Sequence, residues 1–387
     1  AETTVVVAMS GGVDSSVVAA LLHKLGYRTI GITLQLWDYT PASESAVSGG
    51  TKKFGTCCAL DDVYDARRVC QTMGMPHYVL NYESEFKGAV IDDFVETYLA
   101  GATPIPCVRC NQRIKFDRLL EKAKALGADV LATGHYVRKT SGASGQAELH
   151  TGLSPQKDQS YFLFTTTQAQ LDFAAFPLGD LTKDQTRALA EQFGLHVAHK
   201  KDSQDICFVP GGDYRQVVKK FAPEAAAPGN IIDMAGQVLG QHDGIIGFTV
   251  GQRRGLGVAG GVPLYVVALR PATREVVLGP REALATTTFT AKELNWLAAP
   301  LASERDQALH CSVRVRNSQT SVPCEVWAVG EGRVQVELLA PHDSVSPGQA
   351  AVFYDNTRVL GGGWIEVPTA SQWPQGQKVR VALTTPA

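Results

Sequence analysis

Apolar residues in the first half of the chain fall alternately into short runs and helical spacings. Residues 5–9, Val-Val-Val-Ala-Met, form a buried-strand run; Val13, Val17, Leu21 and Leu25 then recur at i, i+4 up to Gly26, which predicts strand, tight turn and helix. A second strand is expected over 29–34. A glycine- and serine-bearing loop, 41–55, leads to a helix over 60–73 closed by Gly74, and His77 to Asn81 reads as the next strand. Phe86, Val90, Phe94 and Tyr98 mark a helix ended by Gly101; Phe116, Leu119, Leu120 and Ala123 mark another, before a strand over 129–133. Thr182-Lys183-Asp184-Gln185 fits a capping box for a helix reaching Phe193, with Gly194 as its stop. This rhythm of short strands and crossover helices predicts an α/β fold around a parallel sheet with helices on both faces.

After about Gly211 the pattern changes. Residues 213–221 suit one short helix, and beyond Pro228 brief β-like runs are broken by Gly-Gln, His-Asp-Gly and Gly-Gly turns. From Phe289, alternation over 311–316, 324–329 and 333–338 predicts a separate antiparallel barrel or sandwich. Expected domains are 1–212, a small central α+β domain over 213–285, and a C-terminal barrel over 286–387. The 387-residue length suits two or three domains.

Composition narrows the function classes. No apolar run approaches the roughly 18 residues that span a bilayer, and Ala1-Glu2-Thr3 lacks a basic signal-peptide flank, so a cytoplasmic protein without a membrane partner is expected. Eight cysteines are too few for a disulfide scaffold, so any thiol that matters is reactive or metal-binding. A net charge of −2 gives no global nucleic-acid signal, so an RNA site must come from local clusters at Arg109/Arg113/Lys115/Arg118, Lys200-Lys201, Lys219-Lys220, Arg253-Arg254 and Arg314/Arg316.

Chemistry begins at the first turn, Ser10-Gly11-Gly12-Val13-Asp14-Ser15-Ser16. Glycines there let backbone N–H groups approach an anion, and the following helix adds roughly half a positive charge at its N-terminus. The Gly-Lys-Ser/Thr ending of a Walker A loop occurs nowhere in the chain. The loop resembles instead the PP-loop of ATP pyrophosphatases, which split ATP between the α and β phosphates and adenylate a carbonyl oxygen. A second constellation, residues 104–116, places Cys107 and Cys110 beside Arg109, Arg113 and Lys115 at or near a helix start, where a thiol pKa is lowered; Cys110 is the better nucleophile candidate. Read as half of a zinc site, the pair lacks a second Cys-x-x-Cys or His-x-His partner at finger spacing. Cys207 follows the polar run 200–205; Cys57, Cys58 and Cys70 suit burial, and Cys311 and Cys324 suit strand positions without chemistry.

The PP-loop, Asn111-x-x-Ile114-Lys115-Phe116, Gly134-His135-Tyr136, Lys157-Asp158-Gln159-Ser160-Tyr161, Cys207 and Gly251-Gln252-Arg253-x-Gly255-Leu256-Gly257 form an ordered set. That set resembles the tRNA-specific 2-thiouridylases from residue 5 to about 366. The resemblance implies ATP-dependent exchange of oxygen for sulfur at C2 of the wobble uridine of tRNA, with sulfur supplied by a cysteine desulfurase or relay protein and no DNA partner. It implies a persulfide on Cys207, attack by Cys110 and a Cys110–Cys207 disulfide, with a mobile loop to bring the two together. ATP with Mg2+ falls to Ala8, Met9, Ser10, Gly11, Gly12, Val13, Asp14, Ser15, Leu34 and Gly134. The target base falls to Ile105, Pro106 and Cys107, and further tRNA contacts to His135, Lys157, Asp158, Gln159, Arg314, Val315 and Gln349. On the residues alone His135 equally suits a strand-end cap, and Gln349 a turn. Many family members carry aspartate where Cys107 stands, which puts its acid/base role in doubt, since a thiol titrates near 8.5 and a carboxylate near about 3.9. Three alternatives stand beside this reading: the same reaction on a [4Fe–4S] cluster held by Cys107, Cys110 and Cys207, a PP-loop amide or amidine ligase acting on a small molecule, and an ATP-gated RNA-binding module without catalysis.

Overall fold

The computed structural model describes residues 3–37, 60–202, 206–258, 262–343 and 345–366. The expected 41–55 loop, the Cys57-Cys58 pair and Ser203-Gln204-Asp205 lie outside them. The chain forms two compact units, one of residues 1–91 and 107–212, the other of residues 92–106 and 213–387.

In the first unit β1 (Thr4–Ala8), α1 (Val13–Lys24), β2 (Arg28–Gln35), α2 (Leu60–Met73), β3 (His77–Asn81) and β4 (Val130–Ala132) follow the pattern of the sequence. The strands are parallel in the order β3-β2-β1-β4, with Ala174–Ala175 as a short fifth strand beside β4. Val5, Val7 and Met9 pack with Val17, Ala66, Val69 and Ala190 on one face, and Val6 and Leu131 are as fully buried on the other, so helices cover both. The chain leaves β1 towards β2 on one side and later returns to β4 on the other. The carboxyl ends of β1 and β4 are therefore the switch point where such sheets open a ligand crevice.

Three features were not expected. Residues 106–125 are helical from Pro106, and Cys110–Leu119 winds in i→i+5 fashion, as does Lys87–Ile91. Val137–Ser141 and Ala147–Thr151 form an antiparallel hairpin. The fifth strand is only two residues long.

The second unit holds two β systems. Gly229–Asp233, Val238–His242, Tyr265–Arg270 and Glu275–Gly279 make a four-stranded sheet in which the first and last pair in parallel. Thr286–Trp296, Arg333–His342, Val322–Gly330, Leu309–Arg314, Ala350–Asp355 and Arg358–Ile365 run antiparallel in that order, and the first pairs with the last. This closes a six-stranded barrel with no free edge, filled by Val313, Val326, Val334, Val336 and Phe353. Cys311 and Cys324 face each other across its strands, Sγ to Sγ 3.7 Å, and the Cys311 contact and burial drive the Cys324 thiol far above its ordinary pKa.

Candidate nucleotide and sulfur-transfer site

The nucleotide loop is shaped by what its glycines lack. Gly11 has φ +71°, and a Cβ there would lie 2.1 Å from the Asp62 carbonyl oxygen at the start of α2. Gly12 is extended at the N-cap of α1, where no side chain caps the helix. The first-turn N–H groups are thus left to an incoming anion. Ser15 Oγ accepts from Ser10 N at 3.0 Å, and Ser16 Oγ donates to the Gly12 carbonyl at 2.7 Å, which folds the loop onto the helix start. Gly134, just past β4, closes the other side of the switch point: a Cβ there would come within 2.9 Å of Ser15 N. Leu34 is buried on β2.

The positive charge missing from the loop arrives from far along the chain. Lys183, first residue of the helix Lys183–Gln192 whose Thr182/Gln185 capping box is present as predicted, bonds Asp14 Oδ1 and Oδ2 at 2.7 and 2.9 Å and Asp202 at 2.7 Å. Lys200 donates to the Gly11 carbonyl at 3.0 Å and to Asp62 at 2.6 Å, and pairs with Asp65. Asp202 also receives Lys157 at 2.7 Å and Arg187 at 3.2 Å. Burial opposes ionisation of Asp202 and Asp65, but the Lys157 and Lys183 bonds to the first, and the Lys200 and His196 bonds to the second, hold both below the ordinary carboxylate range. The Tyr136 hydroxyl donates to Asp14 at 2.8 Å, and burial together with that carboxylate raises its pKa, so it remains a donor. Sequence reasoning missed Lys183, Lys200, Asp202 and Tyr136 as neighbours of the loop. The capping box at Thr182 was the one available signal, since it fixes Lys183 at a helix start.

The thiols differ in setting. Because the helix begins at Pro106, Cys107 is its second residue and is exposed, whereas Cys110 is its fifth and is buried. Cys110 therefore sits one turn deeper than the expected helix terminus. Arg113 is engaged with the Ala89 carbonyl at 2.9 Å and Lys115 with Asn111 Oδ1 at 2.9 Å. Cys207 is half-buried, and its neighbour Phe208 meets Phe86 edge-on at 5.7 Å between ring centres. Both cysteine-bearing segments thus pack on the helical stretch 83–91. Among the described residues no three His, Cys, Asp or Glu side chains converge as a metal site, and Cys107, Cys110 and Cys207, the ligands of the alternative cluster reading, are not gathered into one.

His135 forms a three-ring cluster with Phe116 and Phe176, its Nδ1 2.8 Å from Thr133 Oγ1; burial and the nearby Lys115 ammonium keep its pKa well below 6.5. Asp158 accepts from Gly152 N, Ser160 N and Ser160 Oγ, and Gln159 accepts from Tyr136 N at 2.9 Å, so the 157–159 run braces the strand that follows β4. In the second unit Ile105 is half-buried and Pro106 buried. Arg314 stacks on Tyr354 at 4.6 Å, Val315 is core, and Gln349 Nε2 donates to the Thr103 carbonyl at 3.0 Å.

A model described as the tRNA methyl transferase HUP domain matches residues 3–211. A protein from Roseobacter denitrificans named tRNA-specific 2-thiouridylase MnmA is 54% identical over 94% of both chains, and its namesake from Paracoccus denitrificans 55% identical over 94% of this chain and 92% of its own. The chain belongs to the tRNA-specific 2-thiouridylase family. Models described as a tRNA methyl transferase PRC-barrel domain and an aminomethyltransferase beta-barrel domain match residues 215–280 and 286–365 of this 2-thiouridylase-family chain. Among solved structures, an NMN synthetase from Francisella tularensis overlays with TM-score 0.34 and 16% identity, covering 58% of this chain and 78% of that one, a likeness too slight to carry a reading. No described helix is long and apolar enough to cross a membrane.

Proposed function

We propose that the protein is a tRNA-uridine 2-sulfurtransferase that converts ATP to AMP and diphosphate while replacing the C2 oxygen of the wobble uridine with sulfur. The observation that carries this reading is the presence, in one compact unit, of the nucleotide loop and of Cys110 and Cys207 on segments packed against the same helical stretch. Methyl transfer would need neither an ATP loop nor paired thiols. The loop from Ala8 to Ser15, with Leu34 and Gly134, binds ATP. Its N–H groups stabilise the charge that develops as the uridine O2 attacks the α-phosphorus and diphosphate leaves. Asp14, a carboxylate beside the loop, fits a hard divalent cation, and magnesium held there would draw charge from the leaving phosphates.

Sulfur enters as a persulfide on Cys207, loaded by a donor such as a cysteine desulfurase or relay protein. Cys110 attacks the Cys207 sulfur, a Cys110–Cys207 disulfide forms, and hydrosulfide leaves; it attacks C2, and AMP departs with the former uridine oxygen. A thiol reductant then resets the disulfide. Ile105, Pro106 and Cys107 lie against the base, and His135, the 157–159 run, Arg314, Val315 and Gln349 with the domains 213–285 and 286–387 engage tRNA in the cytoplasm. Cys110→Ser and Cys207→Ser are each expected to abolish persulfide-driven thiolation while ATP affinity stays within about twofold. A single variant that still thiolates would remove the relay.

A further inference from the structure

We propose that Cys311 is a peroxide-reactive site of the barrel and that Cys324 resolves its oxidation as a disulfide, which staples the hairpin carrying Arg314 and Arg316. Neither thiol belongs to the sulfur-transfer set, and both lie in the second unit. They are direct partners in the antiparallel pairing of Leu309–Arg314 with Val322–Gly330, and their sulfurs are 3.7 Å apart. Directly opposed residues of such a pair hold their Cα atoms about 4.5–5.5 Å apart, inside the range of about 4.4–6.8 Å that a disulfide accepts. Closing the bond to about 2.05 Å asks each sulfur to move less than about 1 Å, a shift within the reach of side-chain rotation.

The two sulfurs are not equivalent. Cys324 is 1% exposed within the barrel core, whereas Cys311 is half-buried at its margin, so an oxidant arriving from solvent meets Cys311 first. The Cys311 thiolate attacks one oxygen of hydrogen peroxide, the O–O bond breaks, and a sulfenic acid forms as hydroxide leaves. The Cys324 sulfur then attacks the Cys311 sulfur; its proton and the sulfenic hydroxyl depart as water and the S–S bond forms. Two thiols are oxidised and one peroxide is reduced to two waters. Contact with the Cys311 thiol is the first cause of the raised Cys324 pKa, and it ends once that sulfur is oxidised, which frees the second step. The closed loop runs through Arg314, stacked on Tyr354, and Arg316, whose Nη2 donates to the Val250 carbonyl at 3.5 Å. The staple thus fixes the segment where the barrel meets the turn at Gly251, and a dithiol reductant reopens it by exchange, itself becoming a disulfide. The use of that segment against tRNA rests on the thiolation reading; the chemistry of the thiol pair does not.

The test treats the full chain with hydrogen peroxide, blocks remaining thiols with iodoacetamide and maps tryptic peptides by mass spectrometry. Cleavage after Arg305, Arg314, Arg316 and Arg333 separates the two cysteines. The expected product is peptide 306–314 joined to peptide 317–333, two hydrogens lighter than the pair and split by dithiothreitol. Amide hydrogen exchange over 309–326 is expected to slow about threefold or more on oxidation and to recover on reduction. In Cys324→Ala, dimedone is expected to capture Cys311 as its sulfenic acid, with no joined peptide. Should that core variant fail to fold, Cys311→Ala makes the same test from the half-buried side, and Cys324 is expected to stay reduced. Full alkylation of both thiols after peroxide, sulfinic acid on Cys311 in place of the joined peptide, oxidation of Cys324 in Cys311→Ala at the native rate, or unchanged exchange in the joined form would overturn the proposal. No step needs tRNA, ATP or a sulfur donor, so failure to thiolate would leave this result standing.

Discussion

Gly134 decides how closely the chain after β4 approaches the nucleotide loop. Its φ is unexceptional, so the demand for glycine is one of space: a methyl group would meet Ser15 N at 2.9 Å and the Asp14 carbonyl carbon at 3.1 Å, both backbone atoms. Gly134→Ala is accordingly expected to push the loop out of register and weaken ATP binding about tenfold, near 1.4 kcal/mol, without loosening the sheet. Calorimetric titration with ATP checks this, and unchanged affinity would contradict it. At this scale the loop was legible, because glycine, serine and aspartate at those spacings do few other things after an apolar strand. Lys183 and Lys200 were not. They stand more than 160 residues from Asp14 and Gly11, as their separations of 169 and 189 attest, and no local pattern reports which way a distant lysine faces. The expected RNA contacts illustrate a different difficulty: Asp158 and Gln159 are bonded within their own fold, work that a motif does not announce.

Elements with strong periodicity or caps were predicted within a residue or two, as at α1, α2 and the capping-box helix. The hairpin 137–151 was missed because four of the five residues in its first strand are polar and one face looks to solvent. The i→i+5 winding at Cys110 has no signature in side-chain spacing, and it accompanies the burial of Cys110 one turn below the exposed Cys107. The stretch 196–202 is held by ion pairs rather than by apolar packing alone, which makes it sensitive to acid. Asp65 and Asp202 have lowered pKa values in the fold, so their contribution is complete above the unfolded carboxylate value of about 4 and is lost as pH falls through the lower folded values. Lys200, whose pKa burial lowers but Asp62 and Asp65 raise on balance, contributes below its ordinary 10.5 and fails only above it. Urea unfolding of the native protein and of Asp202→Asn should therefore differ at pH 7 and converge as pH drops below about 4. A gap that persists unchanged in acid would show that the Asp202 charge does not anchor the stretch.

For the whole molecule, a net charge of −2 means that affinity for RNA must come from local basic clusters and shape rather than from global attraction. The barrel was legible as an alternation, but its closure through the pairing of residues 286–296 with 358–365 was not, because strand partners far apart in sequence leave no local trace. The account stands on one reaction: ATP is cleaved so that a uridine oxygen can be exchanged for sulfur. Incubation with tRNA transcript, ATP, magnesium and a persulfide donor, followed by mass spectrometry of the wobble nucleoside and assay of AMP, tests it most directly. The account predicts a nucleoside heavier by one oxygen-to-sulfur exchange, with AMP formed only when tRNA is present and in step with it. An unmodified nucleoside, or AMP released on a small amine in the absence of tRNA, would contradict it.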